Sequence, residues 1–176
     1  MNSDLCVINL FGPPGCGKST IAQLISGLSH TKKIHIEYVN EHAKELVWRK
    51  SNKHEFENQI LITANQYSKQ LWLCENNIQF CVTDSPLLLG AIHQPTPYFQ
   101  HYENLLLEMF NSFNNINYFI TKGDFHYDLI GRNEDEVEAI QKKIQLIEFL
   151  EKNGITYTTI INNKAYDTAS QVLSQI

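Results

Sequence analysis

Residues Gly12-Pro13-Pro14-Gly15-Cys16-Gly17-Lys18-Ser19 decide how the chain is read. They satisfy every position of G-x-x-x-x-G-K-[ST], and the flanking residues supply the context that pattern requires. Before them, Leu5 to Phe11 (LCVINLF) is a short apolar run stopped by Gly-Pro-Pro, as in a buried parallel strand. After them, Ile21, Ala22, Leu24, Ile25 and Leu28 recur at helical spacing between Lys18 and Leu28. The glycines let the backbone curl so that successive N–H groups face phosphate oxygens. The helix adds its positive end. Lys18 brings a mobile charge to the β- and γ-phosphates, and the Ser19 hydroxyl is a ligand for Mg²⁺. The nucleotide-binding segment is read as Gly12, Pro13, Pro14, Gly15, Cys16, Gly17, Lys18, Ser19 and Thr20, with Cys16 in a variable slot.

Outward from this loop the chain alternates strand and helix. Ile34 to Val39 reads as a second strand, and Asn40 as the cap of a helix carrying Ala43, Leu46 and Val47. His54 to Glu75 reads as one long helix whose Phe56, Ile60, Leu61, Ala64, Leu71 and Trp72 form its apolar side. Gln79 to Thr83 is a strand stopped by Asp84-Ser85-Pro86, and a helix over Tyr102 to Phe113 leads to a strand at Asn117 to Thr121. Glu134 to Asn153 is an amphipathic helix, acidic at its start and ended by Asn153-Gly154. Ile155 to Ile161 and Ala165 to Leu173 supply the last strand and helix. The order predicts an α/β fold of three layers, a five-stranded parallel sheet with helices on both faces, as one domain over residues 1–176.

Composition narrows the function. The 176 residues are 43% hydrophobic and 11% aromatic, enough for a core, which excludes disordered and low-complexity classes. With 14 Lys+Arg against 19 Asp+Glu the net charge is -5, which argues against a broad basic groove for nucleic acid. No apolar run approaches the roughly 18 residues of a membrane helix, and the start lacks a secretory leader, so a cytoplasmic protein is expected. Cys6, Cys16, Cys74 and Cys81 have no metal-site spacing and read as free thiols.

Four further features carry chemistry. Asp84, at the carboxyl end of an apolar strand, sits where a parallel sheet opens onto its ligand crevice. There it holds Mg²⁺ or takes a proton from an acceptor hydroxyl, or it caps the following turn. Glu37 and Glu41 straddle the end of the second strand, Glu41 being the stronger candidate for a base and dipole compensation its bland alternative. Residues 122–133, polar and holding two glycines, suit a lid over phosphates, with Arg132 placed to neutralise the transferring phosphoryl group. Arg49 and Arg132 are the only arginines. Of the helix residues, Trp48, Phe56, Tyr67 and Trp72 read as mostly core, and Gln59 and Gln66 as surface glutamines that could alternatively read a base edge.

These residues resemble the P-loop kinases of the nucleoside and nucleotide kinase type. The chain is most similar to a compact, largely phage-encoded set of AAA-type kinases, itself similar to nicotinamide riboside kinase domains. The likeness rests on FGPPGCGKST, EYVNEHAKELVW, TDSPLL and GRNEDEVEAI, spanning positions 11 to about 140. It implies a kinase using ATP and Mg²⁺, with Lys18, Glu41, Asp84 and Arg132 in the catalytic set and Ser19 and Asp84 toward the metal. Its acceptor would be a hydroxyl of a nucleoside, nucleotide or related small molecule. Some members of this looser set, the 5-hydroxymethyluracil-DNA kinases, phosphorylate hydroxymethyl-pyrimidine bases within DNA, which makes nucleic acid an alternative acceptor. An acidic-Arg-Ser motif of deoxynucleoside kinases is missing, because Asp84 and Ser85 are adjacent. The alternative from another class is an NTP-hydrolysing switch or binding module. Against it stand the lid-like segment and the lack of a guanine-reading N/T-K-x-D.

Overall fold

The structure, a computed structural model, describes residues 4–49, 53–123 and 136–176. Five apolar segments form strands: β1 (Cys6–Phe11), β2 (Ile36–Val39), β3 (Phe80–Thr83), β4 (Asn114–Lys122) and β5 (Thr158–Asn162). They join in the order β2-β3-β1-β4-β5, and every neighbouring pair is parallel. The five-stranded parallel sheet predicted from the sequence is the one found. β1 lies in the middle with β3 and β4 on either side, so the ligand crevice of such a sheet opens at its carboxyl end.

Side chains alternating along the strands supply two helical layers. Ile8 and Leu10 of β1 pack with Ile21 and Ile25 of α1 (Lys18–Thr31) and Val172 of α8 (Ala165–Leu173). Phe11 faces the other way, against Leu106 and Phe110 of α6 (Tyr102–Phe110) and Leu146 and Leu150 of α7 (Glu136–Lys152). Val7 and Cys81 share that second layer with Tyr67 and Leu71 of α4 (Gln59–Glu75). α2 (His42–Trp48), α3 (Lys53–Glu57) and α5 (Gly90–His93) are shorter. Among the described residues no helix is long and apolar enough to cross a membrane.

Several boundaries differ from those read in the sequence, each for a local reason. Lys33 and Gly154 take positive φ after α1 and α7, and the next N–H, on Ile34 or Ile155, bonds back to Ser29 or Leu150. Those isoleucines close helices and do not begin strands. The predicted helix from His54 to Glu75 is two helices, because Asn58 leaves helical geometry and its Oδ1 accepts from the Leu61 N–H, capping α4. β4 starts three residues earlier than expected. Its polar Asn115 and Asn117 are held by Asn9, whose Nδ2 donates to both side-chain oxygens at 2.8 and 3.1 Å.

α4 is also turned from its predicted orientation. Ile60, Leu61 and Trp72 are exposed, and so is Ala64, whereas Gln59, Ile62, Thr63, Gln66 and Gln70 are buried. The helical period was legible, but the buried side is the one rich in amides. Trp48 is likewise exposed rather than part of the core.

Candidate functional site

The loop between β1 and α1 takes its shape from glycine. Gly12, at φ 140, passes so close to the Ile120 carbonyl that a Cβ would collide with it. Gly17, at φ 90, leads into α1 in the left-handed region, and a Cβ there would collide with the Asn162 side chain. Asn162, buried at the end of β5, donates through Nδ2 to the Cys16 carbonyl at 2.9 Å and is met by the Thr168 hydroxyl at 3.3 Å. A residue 146 positions away therefore pins the loop. Lys18 lies along it, Nζ donating to the Gly12 and Pro13 carbonyls at 2.8 and 2.9 Å. The Cys16 thiol is fully buried in the core beneath.

A pocket of about 780 Å³ opens beside this loop. Gly12, Pro13, Pro14, Gly15, Gly17, Lys18, Ser19 and Thr20 line it, whereas Cys16 does not. Asp84 and Glu41 line the same pocket, which brings four of the predicted catalytic and metal residues together. Glu37 is elsewhere, half-exposed and 2.7 Å from His35. Arg132 and most of the predicted lid lie outside the described residues.

Asp84 is 2% exposed, and its two oxygens differ. Oδ2 accepts from the Tyr38 hydroxyl at 2.9 Å, whereas Oδ1 is buried with no partner among the described residues. Burial, and after it the charge of Asp84, pushes the Tyr38 phenol far above its ordinary value, so Tyr38 remains a proton donor. The strand order then separates the two carboxylates. β3 adjoins β1, so Asp84 flanks the phosphate loop, whereas β2 is one strand farther out and carries Glu41 away from it.

The wall opposite the loop comes from α3, α4, the turn after β3, α5 and α7. Phe56, Ile62, Leu87 and Ile92 give apolar surface, and Gln59, Thr63 and Gln66 give polar atoms. Thr63 Oγ1 meets the Tyr102 hydroxyl at 2.7 Å, which also reaches the Gln59 carbonyl at 3.0 Å. On α5 and α7, His93 Nδ1 lies 3.1 Å from Lys142 Nζ, and both residues reach the pocket. Asn162 and Tyr38 were missed as site residues in the sequence. Gln59 and Gln66, expected as surface glutamines with base reading as the alternative, are buried and line the pocket.

Ser19 and the unpartnered oxygen of Asp84 suit a hard divalent cation that also takes phosphate oxygens. Among the described residues no group of three or more His, Cys, Asp or Glu could hold a metal on its own.

Parallel sheet, glycine loop, lysine and strand-end carboxylate define a P-loop nucleotide kinase-like fold. The chain belongs to the AAA domain family AAA_28, whose model matches residues 7–166. Two solved structures are similar over 97% of this chain. One is the NadR protein in complex with NR, at 15% identity and TM-score 0.73, of which the match covers 51%, so this chain spans about half its length. The other is thymidylate kinase from Ehrlichia chaffeensis, at 12% identity and TM-score 0.68, with 98% of that chain covered. No curated protein sequence matches.

Proposed function

We propose that the protein is a kinase that transfers the γ-phosphoryl group of ATP to a hydroxyl of a small nucleoside- or nucleotide-like acceptor. One observation carries this reading: the pocket that begins at Lys18 and Ser19 continues past Asp84 and Glu41 to a second wall on α4. A nucleotide-gated switch needs the first half only. The neighbours named for NadR and thymidylate kinase support the same class.

The loop N–H groups and Lys18 hold the β- and γ-phosphates, moving Lys18 off the carbonyls it now contacts. Ser19 and Asp84 would hold Mg²⁺, which neutralises phosphate charge when bound. Tyr38 keeps Asp84 oriented by occupying Oδ2. Glu41, on the outer strand end, takes the acceptor proton. The acceptor oxygen forms its bond to the γ-phosphorus as the bond from that phosphorus to the bridging oxygen breaks, releasing ADP. Arg132, from its place in the sequence, is the proposed guanidinium on the transferring group.

The charge of the pocket favours a free acceptor over a base within DNA. Glu41, Glu57, Asp84 and Glu138 line it against Lys18 and Lys142, a poor match for a polyanion. The test is transfer of labelled γ-phosphate to a panel of nucleosides, nucleotides, ribosides and hydroxymethylated DNA. Transfer to a free hydroxyl compound supports this reading. Transfer confined to DNA moves the acceptor into nucleic acid, and steady ATP turnover that no acceptor alters favours the switch.

A further inference from the structure

We propose that Gln66 selects the acceptor by receiving a hydrogen bond from an N–H group on the edge of a planar heterocycle. The inference rests on the reading of the α4 side of the pocket as its acceptor half. Gln66 is 3% exposed and lines the pocket. Its Nε2 is committed to Thr83 Oγ1 at 2.9 Å, and that hydroxyl oxygen is fixed in turn by the Ser85 N–H at 3.1 Å. Its Oε1 is buried and has no partner among the described residues.

A carbonyl oxygen removed from water without a donor is unfavourable, so a fold that keeps one beside a ligand pocket has a use for it. The neighbouring polar groups on α4 differ. Thr63 bonds to Tyr102, and the Gln59 amide donates to the Phe56 carbonyl at 2.7 Å. Gln70 has an amide without partners among the described residues too, but it lies one turn farther along α4 and does not line the pocket. Of the buried α4 amides, Gln66 alone combines an unpartnered atom with a place on the pocket wall.

The pocket lining describes the ligand. Phe56, Ile62, Leu87 and Ile92 line the same pocket and offer apolar contact to a ring. One Nε2 hydrogen of Gln66 is bonded to Thr83 and a second remains, but Oε1 is its atom with no bond at all, so the unmet need is for a donor. It therefore favours a ring edge bearing an imide N–H or an exocyclic amine, and it rejects the same edge when that nitrogen is fully methylated.

The experiment measures calorimetric affinities of the full chain, loaded with a non-hydrolysable ATP analogue, for two matched pairs. They are thymidine with N3-methylthymidine, and cytidine with N4,N4-dimethylcytidine. The expected result is that at least one N–H compound binds about tenfold or more tightly than its methylated partner. Gln66→Leu should reduce that ratio to about one, whereas Gln66→Glu, which keeps acceptor oxygens, should preserve a preference for the donor. Melting temperature and ATP-analogue binding report whether each variant folds, and the matched pairs on the unmutated protein decide the matter if neither does. Equal binding within both pairs, no binding by any of the four, or an undiminished preference in folded Gln66→Leu overturns the proposal. Labelled phosphate transfer is scored separately. Transfer without N–H preference defeats only the role of Gln66, whereas preference without transfer to anything defeats the kinase reading.

Discussion

The two halves of the pocket are built on different principles. The phosphate loop is continuous in sequence, from Gly12 to Thr20, and its shape comes from backbone conformations that only glycine adopts readily. The opposite wall is gathered from α3, α4, the turn after β3, α5 and α7, and its character comes from side chains. Under the proposed function, the backbone cradle would take what all nucleoside triphosphates share, and the side-chain wall would distinguish one acceptor from another.

If the loop is the general half, removing its charge should have the largest effect. Lys18→Ala is expected to reduce phosphoryl transfer by about 10³-fold or more with the melting temperature little changed. Near-normal transfer in that variant would end the comparison.

The two carboxylates come next, and they test whether strand order divides the labour. Asp84→Asn should cut turnover by about 10²- to 10³-fold and alter the response to a divalent-metal titration. Glu41→Gln should cost about 10²-fold in turnover, with the metal titration and the KM for ATP nearly unchanged. Identical metal responses in the two variants would merge the halves again.

Smaller effects belong to the residues that position others. Tyr38→Phe removes the donor from Asp84 Oδ2 and should lower turnover about tenfold, the scale of a hydrogen bond to a charged group, partly restored by raising Mg²⁺. Asn162→Ala removes a neutral hydrogen bond to the Cys16 carbonyl and should weaken ATP-analogue binding about fivefold, read by calorimetry. If Asn162→Ala instead changes acceptor affinity with ATP binding intact, the loop is not what Asn162 supports.

How much of this was legible in the sequence differed with distance along the chain. The loop, its flanking strand and helix, and the strand-end Asp84 were readable because each depends on residues next to one another. The turn of α4 was not. Its apolar residues repeat at helical spacing, which predicts a helix but not which side is buried when both sides mix amides with hydrocarbon. Ile34 and Ile155 misled for a related reason, since an apolar residue that closes a helix has the same composition as one that opens a strand.

The sequence by itself determined the alternation of strands and helices, the parallel sheet and the phosphate loop, because short-range sterics and hydrophobic periodicity act among near neighbours. Only the tertiary structure decided that β3 rather than β2 lies beside β1, so that the strand ending at Asp84 adjoins the strand that leads into the glycine loop and the strand before Glu41 is one farther out. It alone brought Asn162 under the loop, Tyr38 onto Asp84, and the amide side of α4 over the pocket. Those relations depend on strand order and on layers packing face to face, and no local preference in the chain encodes either.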